Sequence, residues 1–413
     1  MAFWTLHCVS CQATYQPEEV HYTCPRCGPL LGTLEVVYDL ETVASHFDRQ
    51  QLRLDARANH WRYLPLLPIE KPEFISPLAV GWTPLYRQEA LAREWGLADL
   101  WVKDDGRNPT ASLKDRASSV GLVKALEQGA TTVTAASTGN AASSWAAFTA
   151  LAGLRTVIFV PRNAPRAKIA QLLLYGAEVL QVEGNYDQAF DLCMQAARQW
   201  HWYNRSTAIN PYLGEGKKTA ALEICEQLNW EVPDVVFVSV GDGCIIQGLW
   251  KGFRDLFQLG FIERLPQLVG VQAEGAAPLV QAWREGKDQC RPLEPHTLAD
   301  SIAVGIPRDQ VKALRAVRES GGRFMAVSDQ EILDAIALLA RKAGVLAEPA
   351  GATALAGLKR LVEEKQLTKD VRAVVLVTGH GLKDIDGVLK AATATPRTVE
   401  PSLEAVARTL KLD

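Results

Sequence analysis

Four times between residues 131 and 260, a short run of β-branched and small apolar residues passes into a segment of helical periodicity. "TTVTAAS" leads to "TGNAASSWAAFTALAG", "RTVIFV" to "PRAKIAQLLLYGA", "EVLQVEG" to "NYDQAFDLCMQAARQW", and "DVVFVSVGDG" to "CIIQGLWKGFRDLFQLG". "QLVGVQAEG" and "RAVVLVTGHG" repeat the strand signature farther along. The runs are short and apolar at successive positions, so both faces of each strand need cover. Strands of that kind alternating with amphipathic helices predict an α/β fold, with parallel sheets flanked by helices. Sheets of this class gather ligands at the carboxyl ends of their strands.

Four loops fall at such ends. "NPTASLKDR" (108–116) sets one lysine, Lys114, at the start of a helix, followed by Asp115 and Arg116, which read as structural ion-pairing residues. "STGNAAS" (137–143) offers the hydroxyls of Ser137 and Thr138, the backbone freedom of Gly139 and the two-way hydrogen bonding of Asn140. "VGDGCIIQG" (240–248) places Gly241, Asp242 and Gly243 before Cys244 and Ile245 at a helix N-terminus, where backbone N–H groups can wrap an anion. "TGHGLKD" (378–384) closes the last strong strand with Thr378. Each loop alone also fits an ordinary turn. "VGDG" is not a dinucleotide fingerprint, and the absence of GxxxxGK[ST] disfavours a nucleotide triphosphatase.

The first forty residues stand apart. Cys8-x-x-Cys11 and Cys24-x-x-Cys27 are two knuckles separated by twelve residues. Two tight turns, each presenting two thiolates, complete a tetrahedron of sulfur with no open position, which predicts a structural zinc ribbon. The alternative is four free or redox-active thiols; His7 and His21 are neighbours that could stand in for a ligand. Cys193, Cys225, Cys244 and Cys290 show no pairing pattern, so no disulfide framework is expected. Residues 41–75 read as an extended, proline-bearing connecting arm, and 391–413 as a peripheral C-terminal helix.

The order NPT-x-S-x-KDR, STGN, glycine loop, TGHGLKD, spread from Gly81 to Asp384, resembles threonine synthase. That family comprises pyridoxal phosphate (PLP) enzymes of the tryptophan-synthase β-subunit-like fold, fold type II, and several members begin with a cysteine-rich ribbon. The resemblance implies roles for residues in this sequence. Lys114 matches the lysine that bonds covalently to the cofactor aldehyde and shuttles protons. Asn140 matches the asparagine beside the phenolic oxygen, and the turn Gly241, Asp242, Gly243, Cys244 and Ile245 matches the phosphate cradle. Thr378 matches the hydroxyl facing the ring nitrogen, and Ser137, Thr138 and Gly139 lie on the substrate side. It further implies a large PLP domain (76–116 with 209–390), a small mobile domain (117–208) and a homodimer.

The implied reaction is O-phosphohomoserine plus water giving L-threonine and phosphate. Three departures argue the other way. Ala141 follows Asn140 where the family has threonine, Leu213 replaces an arginine, and Asp242 brings a carboxylate to the phosphate loop. They leave open a PLP enzyme performing β-elimination or β-replacement on serine, threonine or an activated serine, and a non-catalytic zinc-ribbon interaction protein. Arg205, Lys217 or Lys218 could compensate for the missing arginine. Glu274 and the "SIAVGIP" segment (301–307) resemble the family's loops on the substrate side, with Ala303–Gly305 expected at the cofactor face, while Glu348 reads as structural.

The net charge of −3 gives no field toward nucleic acid or an anionic membrane. No apolar run approaches the roughly 18 residues that cross a bilayer. The start "MAFWTLHCVSCQ" lacks the pattern of a secretion signal. A cytoplasmic enzyme acting on a small amino acid is the expectation.

Overall fold

The computed structural model describes residues 3–412, apart from 138, 163, 165, 185, 207 and 369. Its N-terminal unit is a three-stranded antiparallel sheet of Trp4–Cys8 (β1), Thr14–Tyr15 (β2) and Leu34–Tyr38 (β3), with β1 in the middle. Both longer strands alternate buried and half-buried residues, so one face, bearing Trp4, Leu6, Val36 and Tyr38, packs inward.

The remaining strands are Leu85–Arg87 (β4), Asp99–Asp104 (β5), Thr132–Ala136 (β6), Arg155–Pro161 (β7), Glu178–Val182 (β8), Tyr203–Asn204 (β9), Val235–Ser239 (β10), Gln267–Ala273 (β11), Arg323–Val327 (β12) and Arg372–Val377 (β13). They form two sheets. One has six strands in the order β12-β11-β10-β13-β5-β4, parallel except for β4 at its edge. The other has four parallel strands in the order β8-β7-β6-β9.

Strand β10 shows why its sequence is apolar throughout. Val236 and Val238 pack on one side with Ile246, Leu249 and Phe253 of the Cys244–Gln258 helix. Val235 and Phe237 pack on the other with Ala352 and Leu355 of the Pro349–Glu363 helix. Both faces are buried, as parallel sheets require.

Two segments differ from the sequence reading. Residues 41–75 are not extended. They form short helical turns at Leu40–Ala44, Arg49–Leu54, His60–Leu66 and Pro72–Phe74. Asp39 and Asp48 cap the first two, and Trp61, Tyr63, Leu66 and Leu67 are buried against the domain. The prolines limit helix length, while tertiary packing holds the turns that remain. At the other end, only Leu403–Leu410, capped by Ser402, is helical. Pro396 and Pro401 keep the chain before it out of helix.

Candidate active site

The carboxyl ends of β6, β10 and β13 open on one cavity of about 850 Å³. Lys114, Ser137, Gly139, Asn140, the 241–245 turn and Thr378 all line it. Four loops separated by more than 260 residues therefore meet at one place. Thr138 lies outside the described residues.

The loop bearing Lys114 is held by its neighbours. Its Leu113 N–H donates to the Thr378 carbonyl at 2.9 Å, and His380 N–H donates to the Ala111 carbonyl at 3.0 Å. Asp115 accepts from both the N–H and the hydroxyl of Thr110. Its structural role is thus to close the loop rather than to form the expected ion pair. Arg116 does form ion pairs, with Asp105 at 2.7 Å and Glu223 at 2.6 Å, deep in the core. So anchored, Lys114 begins the Lys114–Glu127 helix with its amine in the cavity.

Burial lowers the Lys114 amine to about 8, with Lys217 and Arg205 adding repulsion and Glu348 opposing it. A sizeable neutral fraction is then present near pH 8, as a nucleophilic amine requires. Glu348 belongs to this site, contrary to its structural reading. It accepts a 2.7 Å hydrogen bond from the Asn140 side-chain amide. Burial raises its carboxyl to about 7, against the pull of Lys114, Lys168 and Lys383. An N-cap glutamate before a proline gives no hint of this. Its address comes from the pairing of Ala347 with His380.

The glycine turn is tight for a reason. Gly243 has φ +92°, and a Cβ there would lie 2.6 Å from the Cβ of Ala313. Asp242 is tied down: its carboxylate accepts from Arg308 N–H at 3.2 Å, and its carbonyl accepts from Asp309 N–H. That arrangement occupies the carboxylate which the sequence set beside an anion. Cys244 starts the following helix, whose first N–H groups have no intrahelical acceptor and face the cavity.

Arg205 and Lys217 also line the cavity, and neither has a carboxylate partner among the described residues. Burial lowers the Arg205 guanidinium to about 10, its Nε has no partner, and its Nη2 donates to Ser118 Oγ at 3.3 Å. Burial likewise lowers Lys217. Lys218 points away, to Asp255 at 2.7 Å and Glu215 at 2.6 Å. Leu213 is buried beside Gly121, outside the cavity. Ala303–Gly305 line the cavity, whereas Glu274 lies outside it and pairs with Arg360 at 3.1 Å.

The four knuckle sulfurs, of Cys8, Cys11, Cys24 and Cys27, lie within 4.8 Å of one another. The Cys11 and Cys24 sulfurs are 3.7 Å apart, close to the edge of about 3.8 Å expected for a tetrahedron with Zn–S bonds of about 2.3 Å. The donor set fits a zinc ion. His7 is turned to Thr5 at 3.0 Å and the His21 ring lies tilted against Tyr22, so neither joins the four.

Comparison with known proteins adds to this geometry. Residues 77–379 match the family described as pyridoxal-phosphate dependent enzyme. Threonine synthase of Methanocaldococcus jannaschii is 43% identical over 406 residues, 98% of each chain. That of Methanosarcina acetivorans is 40% identical over 97% of each. Diaminopropionate ammonia lyase of Escherichia coli has the same fold, with TM-score 0.66 at 20% identity, covering 84% of this chain and 92% of its own. The chain belongs to the pyridoxal-phosphate-dependent enzymes, in their threonine synthase family.

Proposed function

We propose that this protein converts O-phosphohomoserine and water to L-threonine and phosphate, with PLP bound through Lys114. One observation carries the reading: the cavity that holds Lys114 also holds two buried cations, Arg205 and Lys217, and neither forms an ion pair among the described residues. The glycine turn at a helix N-terminus suits the cofactor's phosphate. The cation pair supplies a second place for a dianion, which serine or threonine would leave unused. It also stands in for the arginine that Leu213 replaces.

The cofactor, when bound, supplies the electron sink that makes loss of a proton beside the amino group accessible. The other tasks fall to the chain. Lys114, with its depressed amine, is the covalent anchor and then the group that takes protons from the substrate's carbons and returns them. Thr378, which lines the cavity, would offer the cofactor ring a neutral hydroxyl in place of a carboxylate, which would favour elimination and replacement over transamination. Asn140 would orient the cofactor ring, and Glu348 holds the Asn140 amide. Arg205 and Lys217 bind the leaving phosphate, whose departure the added water balances.

The proposal includes the domain division at 76–116 with 209–390 and 117–208, with the smaller unit closing over the substrate. Ion pairs between Lys168 and Asp300, and between Asp187 and Arg308 at 2.8 Å, bridge these units at the cavity. It extends to a cytoplasmic homodimer, which sedimentation of the purified protein would test in part. Among the described residues, no helix is long and apolar enough to cross a membrane.

The deciding assay measures phosphate released from O-phosphohomoserine against ketoacid formed from serine or threonine. Phosphate release dependent on Lys114 is expected. Ketoacid formation alone, or equal turnover by Lys114→Ala, would refute the proposal.

A further inference from the structure

The N-terminal unit lies behind the cavity rather than in it, yet it touches the backbone that carries both unpaired cations. Tyr22, two residues before Cys24, is buried, and its hydroxyl oxygen accepts the backbone N–H of Asn204 at 2.9 Å. Its ring packs edge-on against Tyr203, which in turn stacks on Trp145. Arg205 follows directly after β9, which ends at Asn204. On the other side, the Tyr38 hydroxyl donates to Glu215 at 2.7 Å, and Lys218 sits 4.2 Å from the Tyr38 ring centroid while pairing with the same carboxylate. Trp4 packs edge-on against Tyr212, one residue before that helix begins. These contacts fix the helical turn from which Lys217 faces the cavity.

We propose that the zinc-ribbon unit is a positioning element for the anion subsite: Tyr22 sets Arg205 through β9, and Tyr38 sets Lys217 through Glu215. The inference rests on the reading that Arg205 and Lys217 receive the substrate's phosphate. Neither cation forms an ion pair among the described residues, so the place of each depends on how its backbone is held from outside the cavity. A buried N–H left without its acceptor, or a buried carboxylate without its donor, is costly enough to shift such a segment. The cysteine tetrahedron keeps the two tyrosines in register. Tyr22 lies in the same short segment as Cys24, and Tyr38 is on the strand paired along its length with the strand that ends at Cys8.

The experiment uses the full PLP-loaded chain and inorganic phosphate as the probe. Tyr22→Phe and Tyr38→Phe remove one hydroxyl each and keep the ring. Each is expected to weaken phosphate binding, and to raise KM for O-phosphohomoserine, by about threefold to tenfold, the loss of one buried hydrogen bond. kcat and the cofactor's visible absorption band should stay near wild type, and zinc content should be unchanged because neither hydroxyl touches a cysteine. Tyr63→Phe is the structural control. Its hydroxyl donates to Glu226 at 2.6 Å, about three turns farther along the same helix. It should lower Tm and leave phosphate affinity alone. If the Tyr22 and Tyr38 variants bind phosphate as wild type does, or if Tyr63→Phe weakens it equally, the positioning role is overturned while the anion subsite stands. If the wild-type holoenzyme binds no phosphate, the subsite itself is wrong and this inference fails with it.

Discussion

The chemistry at the residue scale turns on two opposed titrations. Burial favours the neutral form of both Lys114 and Glu348, moving one amine down to about 8 and one carboxyl up to about 7. The rate at which the cofactor-free protein takes up PLP should therefore climb as pH rises through about 8, where the Lys114 amine loses its proton, and growth of the visible absorption band reads this directly. Glu348→Gln removes a negative neighbour that holds the Lys114 proton on, so the inflection should move to lower pH. The same change bears on stability. A carboxyl with a raised folded pKa contributes stability fully below about 4.5, and this is lost as pH climbs through about 7. Glu348→Gln should therefore gain stability over wild type at pH 8, on the order of 1–3 kcal/mol, with little difference at pH 4, as denaturant unfolding would show. In sequence, Lys114 was legible because its loop has a distinctive order of residue types. Glu348 was not, because nothing local marks a glutamate whose partner lies 208 residues away.

Single elements matter through how they end. The Cys244–Gln258 helix presents its N-terminus to the cavity only because Gly243 turns left-handed against Ala313. Gly243→Ala adds backbone strain and a clash at 2.6 Å. It should cost about 2 kcal/mol or more of stability and weaken cofactor binding in a PLP titration. Gly260→Ala makes the useful contrast: φ is +70° there, but no heavy atom lies within 4 Å of the added carbon. Only the strain of about 1 kcal/mol should appear, with cofactor affinity unchanged. The strand–turn–helix order was legible from hydrophobic period alone. The arm was misread as extended because its helical turns are too short to show a period, and are held by burial of Trp61, Tyr63 and Leu66.

The parts of the whole molecule are joined by buried charge. Glu223 accepts from Lys103 at 2.7 Å and Arg116 at 2.6 Å, linking β5, the Lys114–Glu127 helix and the Leu213–Gln227 helix. Despite burial, these two cations hold its carboxyl far below the usual range. Glu223→Ala would leave buried Lys103 with only neutral acceptors, Thr83 and Gln227, and Arg116 with the Asp105 carboxylate alone. A loss of about 3–5 kcal/mol, seen as a lower denaturant midpoint, is the expected result, with Lys114 losing its support as well. Sequence by itself determined the α/β class, the run of strands and helices, the cysteine knuckles and the four loops, because periodicity, turn chemistry and ligand spacing are local. Tertiary structure alone decided that Arg205 and Lys217 share the cavity while Lys218 does not, that Asp242 is spent on Arg308, and that Glu348 meets Asn140. Those outcomes depend on which way a side chain faces once distant segments pack. That direction is set by burial and by charge pairing between residues far apart in the chain.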